Sequence, residues 1–153
     1  MRVYFIPVAA GVLLIASAFL PWMVLGGVPL GGVPDVAGWW IFGLGLTAVV
    51  LASLSIWTRK NSRHPLLLVG LTASAILYLG YQWMSRTIRN SAWAQSQARA
   101  IVENVPAVAP PEAIVGPGIY VGLVAALVLV LFGLTIVIKR VPSAYAISED
   151  DDI

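Results

Sequence analysis

Residues 118–138, GIYVGLVAALVLVLFGLTIVI, contain no charged side chain. At 1.5 Å per residue a helix of this length rises about 32 Å, and the hydrocarbon core of a bilayer is about 30 Å thick. Gly116-Pro117 precedes the run and Lys139-Arg140 follows it, so both ends are marked. This stretch predicts a membrane-spanning helix, and the remaining chain has to be compatible with one.

Three further apolar runs are. Residues 3–25 follow Arg2, with Pro7 in the first turns and Pro21 near the far end, where it is expected to bend or stop a helix. A signal peptide competes for this run, since Ala16-Ser17-Ala18 has the small-x-small form of a cleavage site. The uninterrupted apolar length favours a retained span. Residues 38–57 begin with Gly38-Trp39-Trp40 and end at Trp57, aromatics suited to the two interfaces. Gly43, Gly45, Thr47, Ala48 and Ala52 are small, which lets a neighbouring helix approach closely. Residues 65–84 form the third run, with Gly70 and Ser74 as a small-xxx-small pair. In the fourth, Gly118, Gly122 and Ala126 make a ladder of the GxxxG kind. It suits packing inside the bundle better than dimerisation.

Composition agrees. The chain is 59% hydrophobic and 10% charged, whereas a soluble domain carries about 25% charge. The net charge of +2 comes from basic residues set beside the apolar runs. They mark orientation and do not form a nucleic-acid surface. Cysteine is absent, which removes disulfides, thiolate metal sites and a thiol nucleophile.

The connections differ in character. Residues 26–37, GGVPLGGVPDVA, repeat Gly-Val-Pro at 27–29 and 32–34 and read as two tight turns. Residues 58–64 are a polar turn with Arg59, Lys60 and Arg63. Residues 85–105 lack Gly and Pro and predict a helix, which either continues the third span into water or lies along the membrane surface. Residues 106–117 hold four prolines and predict an extended return to the membrane. The external segment is thus 85–117. The tail, 141–153, contains Glu149-Asp150-Asp151-Asp152 and reads as a solvated end.

With both termini cytoplasmic, that side carries Arg2, Arg59, Lys60, Arg63, Lys139 and Arg140 against Arg86, Arg89 and Arg99 outside. The positive-inside rule then predicts an N-in, C-in protein of the cytoplasmic membrane. Trp22, Trp39, Trp40, Trp83 and Tyr120 fall at the outer interface as an aromatic rim.

The four runs hold no Asp, Glu, Lys, Arg or His. Proton relays and ion-coupled transport rest on such groups. His64 is the single histidine, outside the apolar runs, and reads as an interfacial residue. One histidine and no cysteine build no metal cluster. No nucleophile–base–acid set can be placed near the membrane centre. The expectation is a protein that is not an enzyme and binds neither metal nor nucleic acid. The aromatic rim leaves room for a bound lipid, quinone or carotenoid.

Leu20-Pro21-Trp22 at the end of the first run, Gly38-Trp39-Trp40 opening the second and Gly116-Pro117-Gly118 opening the fourth give the chain its outline. In that outline it resembles small uncharacterised four-span membrane proteins of bacteria, a likeness that implies no activity. Claudin-type proteins share the plan and a Trp in the first loop. Here that loop is short for their extracellular sheet and lacks their cysteine pair, which argues against that family.

The expected fold is an all-α, four-transmembrane-helix bundle, with an external helix and a Pro-rich return between spans three and four. The expected role is a non-catalytic accessory subunit of a larger membrane complex, respiratory or photosynthetic. Its partners are then other integral membrane subunits and lipids. Trp93, Ile88 and Ile101 are the expected partner contacts. The alternative is a small oligomeric channel or a lipid-, quinone- or pigment-binding protein. Thr47, Ser53, Ser55, Thr72, Ser74 and Gln82 are the residues available to line a pore.

Overall fold

A computed structural model describes residues 4–58, 63–109 and 111–139, the last four by their backbone alone. Arg2, the basic residues Arg59 and Lys60, and the acidic tail lie outside the described residues. Of those described, 78% are helical. The elements in order are helix α1 (Phe5–Phe19), strand β1 (Pro21–Leu25), strand β2 (Val28–Gly31), helix α2 (Val36–Thr58), helix α3 (Arg63–Glu103), strand β3 (Ala113–Val115) and helix α4 (Pro117–Lys139). Three helices, α2, α3 and α4, are long and apolar enough to cross a membrane; α1 is apolar but shorter.

The helices pack up and down. At one end Tyr4 stacks edge-on against Phe132 at 5.2 Å, and the Arg63 guanidinium lies 5.6 Å from the same ring. The starts of α1 and α3 therefore meet the last turns of α4. The α1–β1, β2–α2 and β3–α4 junctions near Trp22 form the other end. Pairs α3–α4 and α1–α2 are packed most extensively.

The cross-section is apolar outside as well as inside, unlike that of a water-soluble bundle. Small residues face inward: Ala10, Gly11, Ser17 and Ala18 on α1, Gly45, Ala48 and Ala52 on α2, Gly70 and Ala73 on α3, Gly122, Ala125 and Ala126 on α4 are all buried. Large apolar residues face outward along every helix, among them Ile6 and Leu13, Leu46 and Val50, Leu68 and Leu71, Val124 and Leu127. Water would not tolerate so continuous an apolar surface. Close backbone approach through small residues is how helices associate where lipid solvates the outside.

Polar groups inside the helices are satisfied locally. Thr47, Ser55, Thr58, Thr72 and Ser74 each donate their hydroxyl to the carbonyl four residues back, at 2.7–2.9 Å. These hydroxyls serve their own helix backbone.

Two features differ from the sequence expectation. The first run is not helical to residue 25. Pro21 forces Leu20 into an extended conformation, with φ −74° and ψ 154°, and α1 stops at Phe19. Residues 21–31 then form a hairpin, and β3 adds to its other side, giving a three-stranded antiparallel sheet in the order β2-β1-β3. The stretch read as two tight turns has turns at Gly26-Gly27 and at Val33-Pro34, with strand β2 between them; Gly26 and Gly27, both with positive φ (56° and 86°), join Leu25 to Val28. That conformation suits a two-residue hairpin turn of type I′, which glycine adopts without strain. The loop judged short for a sheet carries two strands of one, and the bundle is mostly helical with a small β clasp.

Candidate functional site

The clasp is organised on Trp22. Pro21 pairs with Gly31 and Met23 with Leu30, so Trp22 is the extra residue of a β-bulge. A bulge re-aims its side chain, and this indole turns into the helical bundle, where it is 1% exposed. Its Nε1–H donates to the Ser17 carbonyl oxygen at 2.9 Å. Its own carbonyl accepts from the Gly116 N–H at 2.7 Å. Glycines surround the ring. A Cβ on Gly32 would overlap the indole, one on Gly118 would lie 2.7 Å from its Cδ1, and one on Gly80 would lie 2.9 Å from its Cζ3. Trp22 is thus a corner residue shared by the sheet, α3 and α4. Of the residues expected at the outer aromatic rim, Trp22 alone is buried, and the bulge buries it.

The other rim residues are on the surface. Trp39 (54% exposed), Trp40, Trp83 and Tyr120 all face outward near the sheet end of the bundle. Trp39 also stacks edge-on against Phe42, which stacks on Phe19, both pairs at 5.8 Å.

The packing residues fall as follows. Gly70 meets α4 so closely that a Cβ there would lie 2.9 Å from the Val130 N and 3.0 Å from the Ala126 carbonyl oxygen. A Cβ on Gly122 would lie 2.9 Å from Leu77 Cδ1 and 3.0 Å from Ser17 Oγ. Gly118 packs on Trp22, and Ala126 is fully buried. Ser74 is half-buried, its hydroxyl donated to Gly70. On α2, Gly45, Ala48 and Ala52 face inward, whereas Gly43 has open space around it and Thr47 is exposed. The small residues of α2 therefore do not act as one packing set.

Beyond the bundle the third helix does not break. Arg63–Glu103 is one helix of 41 residues, about 62 Å long at 1.5 Å per residue and roughly twice the hydrocarbon thickness. Its last turns are continued by Asn104, which has a positive φ of 54° and ends the helix. The Pro-rich return then runs back beside it. Ala92, Gln95, Ser96, Arg99 and Ala100 of α3 face Val105, Pro106, Val108 and Ala109 across a cavity of about 450 Å³. The return thus lies over the polar side of the helix extension. Ala94, Ala98 and Ile101 lie on the opposite side, and Trp93 and Val102 flank it on its two edges, half a turn from each other. None of the three large residues is covered among the described residues: Trp93 is 45% exposed, Ile101 82% and Val102 84%.

Of the three expected partner contacts, Ile88 is partly buried and packs against the protein's own core. Trp93 and Ile101 remain on the outer face. Val102 joins them, a residue sequence reasoning did not separate from the scattered apolar ones. The signal was the missing knowledge of which side the return would take.

Closer to the bundle, Tyr81, Ser85 and Arg89 of α3 line a cavity of about 410 Å³ with Met23 and Leu25 of β1, Ala113 of β3, and Pro111 and Glu112 of the return. Among the described residues no group of three His, Asp or Glu side chains is arranged to hold a metal ion. No family model, no curated protein and no solved structure matches this chain.

Proposed function

We propose that the chain is an integral membrane protein whose four helices span the bilayer, and that it serves as a non-catalytic accessory subunit of a larger membrane complex. The single observation that carries this reading is the α3 extension. It projects about 30 Å past the length needed to cross a bilayer, by helix rise against hydrocarbon thickness. One side is covered by the chain's own return, and Trp93, Ile101 and Val102 stand uncovered around the rest of the helix. Large apolar side chains held outside the bundle on a continuous helix make it a docking edge.

The membrane assignment rests on the apolar outer surface of the helices and on their close approach through buried small residues. Under the positive-inside rule the end bearing the sheet faces outward and both termini face the cytoplasm. The host is then a complex of the cytoplasmic membrane of a bacterium. The pore alternative receives less support, because Thr47, Ser55, Thr72 and Ser74 spend their hydroxyls on their own helices.

Trp93→Ala tests the docking edge. Large aromatics dominate contact energies, and truncating an anchor costs on the order of 2 kcal/mol or more in binding. The variant is expected to insert in the membrane normally and to lose its co-purifying subunits in mild detergent. Retention of those subunits at wild-type stoichiometry under stringent washing removes Trp93 from the interface. Orientation is tested with single cysteines, Ser91→Cys on the exposed side of α3 and Ser62→Cys. In intact cells an impermeant thiol reagent is expected to label the first alone.

A further inference from the structure

The cavity between α3 and the clasp carries features that the accessory-subunit reading does not use. Tyr81, Ser85 and Arg89 stand at i, i+4 and i+8, hence on one side of α3. Facing them are Met23 and Leu25, Ala113, and the Pro111-Glu112 step of the return. Met23 is buried, whereas Arg89 and Glu112 are exposed. The floor is therefore apolar, and a cation and an anion stand at the mouth.

Those two charges share the cavity without pairing. Among the described residues the ion pair formed is Arg99–Glu103, at 3.1 Å, further along α3. Tyr81 makes no hydrogen bond within the described residues. The Ser85 hydroxyl donates to the Gln82 carbonyl, so its oxygen remains free to accept. The volume, about 410 Å³, lies in the range of about 300–1,000 Å³ usual for ligand sites. Trp83, 77% exposed, sits between Tyr81 and Ser85 in sequence and is suited to headgroup depth.

We propose that this cavity binds the zwitterionic headgroup of a phospholipid of the phosphoethanolamine class. The inference rests on the membrane reading above. Arg89 and the Tyr81 hydroxyl donate to the phosphate oxygens, and guanidinium–phosphate contacts are among the stronger hydrogen bonds. The ammonium group donates to Glu112 and to Ser85 Oγ. The apolar floor takes the glycerol end and the first methylenes. A choline headgroup has no N–H to give Glu112, and the cavity supplies one aromatic ring where quaternary ammonium recognition uses cages of several. An anionic glycerol headgroup leaves Glu112 facing a phosphate without a cation between them.

The full chain, reconstituted with equimolar dioleoyl phosphatidyl-ethanolamine, -glycerol and -choline, is analysed for retained lipid by native mass spectrometry. Retention of the ethanolamine lipid about tenfold above the other two is expected, the size of one charge-assisted contact. Arg89→Gln is expected to abolish the enrichment. Glu112→Gln is expected to let the glycerol lipid compete equally. Arg86→Gln, lining the separate groove with Tyr78 and Gln82, is expected to bind as wild type. Equal retention of all three lipids by the wild-type chain overturns the proposal, as does wild-type selectivity in both Arg89→Gln and Glu112→Gln. Displacement of the lipid by soluble glycerophosphoethanolamine at equal concentration reassigns the site to a free headgroup compound and overturns the lipid assignment. Alkaline carbonate extraction of the same membranes separates the two levels. Release of the chain sinks the membrane reading, whereas an embedded chain without lipid preference sinks the headgroup site alone.

Discussion

The Trp22 indole N–H donates to the Ser17 carbonyl oxygen at 2.9 Å, across the point where α1 ends and the hairpin begins. Ser17 lies in the last turn of α1, where carbonyls have no partner further along the helix. The Leu20 N–H caps the Ala16 carbonyl at 3.2 Å, and the indole caps the next. One side chain therefore closes a buried helix end and anchors the strand that follows it.

Trp22→Ala is expected to destabilise the fold by about 3–5 kcal/mol, the cost of emptying a large aromatic site. Trp22→Phe keeps part of the packing but leaves the buried Ser17 carbonyl without its donor, an expected loss of about 1–3 kcal/mol. Both are read as shifts in the midpoint of unfolding by SDS titration. A wild-type midpoint in Trp22→Phe would show that the hydrogen bond contributes nothing.

Gly70 and Gly122 are expected to differ although both are buried glycines on packed helices. A Cβ at Gly70 meets backbone atoms of α4, which cannot move alone, whereas one at Gly122 meets the ends of the Leu77 and Ser17 side chains. Gly70→Ala is therefore expected to cost more than Gly122→Ala, both within the roughly 1–3 kcal/mol typical of overpacking. Gly122→Ile exceeds what Leu77 can yield, while Val124→Ile, on the exposed side of α4, should leave the midpoint nearly unchanged.

Gly43 provides the opposite case. Nothing lies within 4 Å of where its Cβ would be, and alanine is favoured over glycine in a helix by about 1 kcal/mol. Gly43→Ala should leave the isolated chain as stable or more so. If that same variant fails to assemble with the partner subunits proposed above, the groove lined by Trp39, Trp40, Gly43 and Thr47 is a second contact surface.

Much of the helical architecture was legible in the sequence because apolar run length is a direct physical signal. The continuity of α3 was half legible: residues 85–105 lack Gly and Pro, but composition does not tell a continued helix from one folded along a surface. The clasp was missed. Its strands are five, four and three residues long, too short for alternation to register, and Met23 finds Val115 far along the chain. One local signal was present, Gly26-Gly27 between PWMVL and VPLG, the two-residue spacing of a hairpin. The burial of Trp22 was invisible because it depends on a bulge, and a bulge appears only once register is known. The separation of Ile88 from Trp93 and Ile101 depended on the path of the return, which prolines make extended without aiming it.

The pairing of Met23, Val24 and Leu25 with residues 113–115 has a consequence for biogenesis. Synthesis delivers β1 long before its second neighbour, so the young chain carries an open strand edge through the making of α2 and the whole of α3. Long-range pairing of this kind closes slowly, since the intervening loop must first be ordered. Only when Ala113 has emerged and α4 begins to form can the edge be sealed and Gly116 reach the Trp22 carbonyl. A ribosome stalled before that point leaves an edge on which a chaperone or a second copy of the chain can settle.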